Sequence, residues 1–166
     1  MTDQELMVER VRRQFWPLIC EQAQTWGLTP ELVGAVVCQE SGGNPNAMRV
    51  EPKWQYHNLD LPRPRGMSRD TEWWGQATSW GLMQVMGTKA RELRFEGWWP
   101  ALCQPDLGLY YGAKALGTFL DKANGDQVKA LLRYNGGGNK QYSGQVLVWA
   151  ELFRRAPESP HAPWGA

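Results

Sequence analysis

The chain has 166 residues, 42% of them hydrophobic and 21% charged, with a formal net charge of +1. This is the balance of one globular domain with a real core, and the length is short for two. Near-neutral charge without a run of Lys and Arg excludes a nucleic-acid or anionic-membrane footprint, and no apolar stretch is long enough to span a bilayer.

Thr2 and Glu5 form a capping-box signature, which opens a helix running to about Trp26. Leu6, Val8, Val11, Phe15, Leu18 and Ile19 give it an apolar face. The opening "MTDQELMVERVRRQF" has acids early and no apolar core, so it is not a secretory signal. Synthesis in the cytoplasm without a signal peptide is expected. Gly27 closes the first helix, Thr29 caps a second, and Pro30 occupies its first position. Leu32, Val33, Val36 and Val37 line this helix up to Glu40, and Gly42 and Gly43 end it.

Residues 43 to 79 carry Pro45, Pro52, Pro62 and Pro64 among glycines and aromatics. They read as a long irregular insertion with room for a short hairpin, and loops of this length are usually functional. After the short apolar "GLMQVM", Thr88 is expected to cap a helix through Phe95. Asp106 is expected to cap another that carries Leu109, Ala113, Leu116 and Leu120. Asp126 caps "QVKALLRYN", which stops at Gly136 to Gly138, and "KQYSGQVLVWAELFRRA" is a last helix. The expected organisation is a single, mainly α domain over 1–155 and a flexible tail over 156–166.

Cys20, Cys38 and Cys103 are far apart and odd in number, which suggests neither a disulfide framework nor a metal site. His57 and His161 are isolated, so no metal and no cofactor is expected. The ten tryptophans suit core packing, and their flat apolar faces beside an N–H donor also suit sugar rings.

Glu40 stands apart chemically. Val37, Val36 and Val33 share its helix face, so the carboxyl projects from the apolar side. Desolvation and the helix C-terminus both disfavour the carboxylate and raise the pKa. A carboxylic acid that keeps its proton near neutral pH is what a general acid requires. The glycines that follow end the helix and leave space for a bulky ligand.

The blocks "ESGGNPNA", "WGLMQVM", "DLGLYYGAKALGTFL" and "ALLRYNGGG", followed by a Tyr-containing last helix, appear in this order from about residue 28 to 153. Together they resemble the soluble (SLT-type) lytic transglycosylase domain of the lysozyme-like superfamily. The resemblance implies cleavage of peptidoglycan between N-acetylmuramic acid and N-acetylglucosamine, with a 1,6-anhydro product. Glu40 matches the family's sole catalytic acid and base. Ser41 is implied to fix the turn beside the acid. Met83 and Gln84 are implied to line the cleft. Tyr134, whose hydroxyl is expected to reach the catalytic carboxyl, and Asn135 match the family's "YN". Tyr142 matches a tyrosine at the start of the last helix and is expected at the cleft. With Ser41, these are the expected substrate-binding residues.

The chain departs from the family pattern in the insertion between Glu40 and Met83. Arg49 stands where the family often has a serine, and that role is not carried over. The insertion also supplies Glu51, which opens a second reading as a muramidase that hydrolyses the same bond with water. An inverting pair of carboxyl groups would lie ~6.5–9.5 Å apart, while the plainer reading of Glu51 is a solvent-exposed acid or a salt-bridged partner of Arg49. Trp54, Trp73, Trp74 and Trp80 are expected to divide between a wall over the glycan and packing against the core. A third reading, of another class, is a non-catalytic glycan-binding or virion-assembly module. The expected partner is the peptidoglycan glycan strand, and the expected state is a monomer. The context that fits best is a bacteriophage endolysin freed by a holin, or a virion-borne lysin.

Overall fold

A computed structural model describes residues 1–156. The expected flexible tail lies, from residue 157, outside the described residues. The molecule is mainly helical, with a small three-stranded sheet.

Helix α1 (Asp3–Thr25) opens on the capping box. Thr2 accepts from the Glu5 amide, and Glu5 accepts from the Thr2 amide. Its buried face carries Val8, Val11, Phe15 and Ile19, while Leu6 remains exposed. Helix α2 (Pro30–Ser41) starts at Thr29, whose side chain accepts from the Leu32 amide, and ends at Gly42 in the left-handed region. Every residue from Leu32 to Cys38 is buried, which makes α2 the central helix of the core. It packs chiefly against α1 and against α7 (Tyr142–Arg155). The close approach to α7 requires Gly34, because a Cβ there would lie 2.7 Å from Phe153 Cζ.

Helix α5 (Pro105–Lys122) packs on α1 and on α6 (Gln127–Tyr134). The Asp126 side chain caps α6 through the Lys129 amide, as its position predicts. Two expected caps are corrected. Asp106 lies inside the first turn of α5, whose N-cap is Gln104. Thr88 lies inside α4 (Gly87–Glu92), whose N-cap is Met86. The Thr88 hydroxyl instead donates to the Gln76 carbonyl, so tertiary partners take the group that a cap would use. No helix among the described residues is long and apolar enough to cross a membrane.

The insertion is more ordered than its composition predicts. Strand β1 (Met48–Val50) pairs antiparallel with β2 (Thr78–Trp80), and β2 pairs with β3 (Val85–Met86). Between β1 and β2 lies α3 (Arg69–Gln76), a helix that the irregular reading of this stretch does not include. Its signal is present in the chain, because Ser68 caps the Thr71 amide and Asp70 and Glu72 occupy the first turn. A trailing 3-10 turn, Trp99–Cys103, covers the sheet and places Trp99 parallel to Trp80 at 6.0 Å.

Polar groups fasten this region. Arg91 and Glu72 are both fully buried and paired through two hydrogen bonds of 2.9 Å. Arg91 also donates to the Phe95 and Gly97 carbonyls and lies over the Trp99 ring. A buried ion pair persists when the remaining donors are satisfied in this way.

Candidate active site

Glu40 sits in the last turn of α2, where the apolar run gives way to the helix end. Its carboxyl forms part of the wall of a cleft of about 720 Å³, which Arg49, Glu51, Trp54, Tyr56, Ser79, Gln84, Phe119, Arg133, Tyr134 and Asn135 also line. The helix brings the carboxyl to the cleft because Val33, Val36 and Val37 on the same face are wholly buried. Burial pushes the Glu40 pKa above its ordinary value. A hydrogen bond from Tyr142 and the Arg49 charge oppose this without reversing it.

Tyr142 Oη donates to Glu40 Oε1 at 2.5 Å. Its ring is buried at the start of α7. Burial first, and the Glu40 charge second, keep the Tyr142 phenol protonated. Oε1 is thereby fixed as an acceptor, and Oε2 has no protein partner among the described residues.

The expected contact between Tyr134 and the carboxyl is corrected. Tyr134 Oη donates to the Met83 carbonyl at 2.7 Å, and Tyr142 is the tyrosine bonded to Glu40. Met83 is likewise not at the cleft. Its side chain is fully buried and sits where a Cβ on Gly112 would collide with it. What Met83 gives the site is its carbonyl.

The "GLMQ" segment is a clamp joining three elements. Ser41 Oγ donates to the Leu82 carbonyl at 2.8 Å and accepts from the Gly43 amide, which ties the end of α2 to the segment. Tyr134 ties it to the end of α6. Gln84 adopts φ +49 between β2 and β3, where a non-glycine residue is uncommon. Its amide donates to the Ala47 and Gly81 carbonyls and accepts from Ser79 Oγ, so the conformation is held from three sides. Ser41 therefore acts on the shape of the site through backbone contacts. Gln84 lines the cleft with its polar atoms already engaged. Asn135 ends α6, lines the cleft and accepts from the Asn139 amide.

Glu51 reaches the cleft and forms an ion pair with Arg49 at 2.5 Å. Of the four insertion tryptophans, Trp54 lines the cleft. Trp80 is buried, Trp73 stacks on His57 at 4.2 Å, and Trp74 stands half exposed against Trp73. Tyr56, which sequence reasoning does not single out, also lines the cleft. An aromatic residue stranded in a polar, proline-rich stretch is the available signal.

A comparison with protein families matches the description "Transglycosylase SLT domain" to residues 17–145. Comparison with curated proteins and with solved structures gives no match.

Proposed function

Because the chain belongs to the transglycosylase SLT domain family, whose activity is lytic-transglycosylase-type cleavage of peptidoglycan, we propose that Glu40 is its single general acid and base. The bond cut is the β-1,4 link between N-acetylmuramic acid and N-acetylglucosamine, and the product carries 1,6-anhydro-N-acetylmuramic acid. The observation that carries this reading is the Glu40 carboxyl itself. It stands at the cleft wall, is held by Tyr142, and is kept above the usual carboxylate pKa by burial.

The protonated carboxyl gives its proton to the glycosidic oxygen. The bond from that oxygen to C1 breaks, and the muramic ring passes through an oxocarbenium-like state. The Glu40 carboxylate left behind takes the proton from the C6 hydroxyl of the same sugar. O6 bonds to C1, which closes the anhydro ring. No water is consumed, and Glu40 ends protonated as it began. Tyr142 supports both halves by anchoring one carboxyl oxygen, which leaves the other to face the reacting atoms.

Hydrolysis by an inverting route would use a second carboxylate to activate water. Glu51, the candidate for that base, is ion-paired with Arg49 at the cleft. Mass spectrometry of the muropeptides released from purified peptidoglycan tests the choice. The expected products are lighter than hydrolytic ones by one water and lack a reducing muramic end. Reducing muramic ends would overturn the proposal in favour of a muramidase. Binding to sacculi without any release would favour a non-catalytic module.

A further inference from the structure

The segment from Trp54 to Asn58 has no regular secondary structure, yet it is fastened on both sides of one exposed aromatic ring. Trp54 Nε1 donates to Thr88 Oγ1 at 2.9 Å. Asn58 exchanges two hydrogen bonds with the Gln76 side chain, its amide donating at 2.7 Å and its carbonyl accepting at 2.8 Å. Gln76 in turn donates to Glu72, a member of the buried ion pair with Arg91. His57 stacks on Trp73, and its Nε2 lies 3.1 Å from the Trp73 carbonyl. Between these anchors Tyr56 is left 73% exposed, edge-on to Trp54 at 5.2 Å, and both rings line the same cleft as Glu40.

A large aromatic ring left in water on a cleft wall loses the burial that would stabilise it. The anchors on either side fasten the backbone that carries the ring, and the ring itself meets only the edge of Trp54. A pyranose in a β-1,4-linked chain presents a face of C–H groups, which covers an aromatic ring while the hydroxyl and acetamido groups stay at its edge. Resting on the proposed reading of Glu40, we infer that Tyr56, braced edge-on by Trp54, is a sugar-stacking platform, supplied by the insertion, that grips the glycan strand in the Glu40 cleft. Pre-fixing the backbone lowers the ordering cost of binding. The platform is a binding element and takes no part in proton transfer.

The test measures calorimetric binding of a β-1,4-linked N-acetylglucosamine hexamer to the inactive Glu40→Gln protein, with and without Tyr56→Ala. Tyr56 is exposed, so its truncation leaves the core untouched. Loss of the ring is expected to weaken the hexamer about tenfold, the scale of a truncated aromatic anchor. Tyr56→Phe keeps the ring and is expected to keep the affinity. With Glu40 intact, Tyr56→Ala is expected to raise KM on solubilised glycan strands and leave kcat nearly unchanged. Equal hexamer affinity with and without the Tyr56 ring overturns the platform, as does a hexamer that does not bind at all. The two readings fail separately. Anhydro products with unchanged affinity remove the platform alone. Ring-dependent affinity in a protein whose Glu40-intact form releases no anhydro ends keeps the platform and removes the cleavage reading.

Discussion

The helical scaffold and the insertion are built from opposite materials. In the scaffold, α1, α2 and α7 interlock through apolar side chains. Val33, Val36 and Val37 have no exposed surface, and Phe153 fills the space left by Gly34. In the insertion and the sheet it completes, the strands are three residues or shorter and α3 has eight residues. Order there comes from directed polar contacts, namely Glu72 with Arg91, Gln76 with Asn58, and Trp54 with Thr88. Apolar burial is non-directional and tolerates small adjustments, whereas a hydrogen bond fixes a position. The cleft lies where the two meet. The scaffold supplies the desolvated acid, and the insertion supplies a wall.

Three changes probe this division, in falling order of effect. Glu40→Gln keeps the shape of the scaffold's contribution and removes its proton. Turnover of peptidoglycan is expected to fall about a thousandfold or more, while the thermal unfolding curve stays close to that of the parent protein. Substantial muropeptide release by a well-folded Glu40→Gln protein would sink the assignment.

The second change strikes the insertion. Glu72→Ala leaves the Arg91 guanidinium buried without its partner, which is expected to cost about 3–5 kcal/mol in denaturant unfolding. Replacing both members by Met is expected to recover part of this loss. Recovery stays incomplete because the Phe95 and Gly97 carbonyls lose their donor. A cost below about 1 kcal/mol for Glu72→Ala, far under that of a broken buried pair, would mean that the polar network does not hold the insertion.

The smallest effect is expected from Tyr142→Phe, at the seam with the acid. The Tyr142 hydrogen bond lowers the Glu40 pKa, so its removal lets burial raise that pKa further. Activity that depends on protonated Glu40 is lost as pH rises through its pKa. The alkaline limb of the pH–kcat/KM profile is therefore expected to move to higher pH. A limb that stays in place or moves to lower pH would show that Tyr142 does not tune the acid.

Periodicity and capping chemistry are enough to read the scaffold. The Thr2–Glu5 box, the Thr29–Pro30 start and the Asp126 cap all form as their positions predict. These signals are local, acting within one turn of helix, so the chain carries them wherever it folds. The placement of Glu40 on the face of Val33, Val36 and Val37 is legible for the same reason. Helix α3 is also locally encoded, by Ser68, Asp70 and Glu72, and is obscured by the prolines and aromatics around it.

Other features depend on partners distant in sequence. Thr88 has the chemistry of a cap, but Trp54 and Gln76 occupy its hydroxyl. Tyr134 and Tyr142 are alike as residues, and only the packing of α6 and α7 against the ends of α2 and "GLMQ" sends one hydroxyl to Met83 and the other to Glu40. The motif around Met83 points to the cleft, yet the close passage of α5 at Gly112 draws its side chain into the core. The sequence by itself determined the scaffold helices and the apolar face from which Glu40 projects, because each rests on the spacing of near neighbours. The tertiary structure alone decided which tyrosine holds Glu40 and which rings stand open to the cleft, because each depends on segments that only folding brings within hydrogen-bonding or stacking distance.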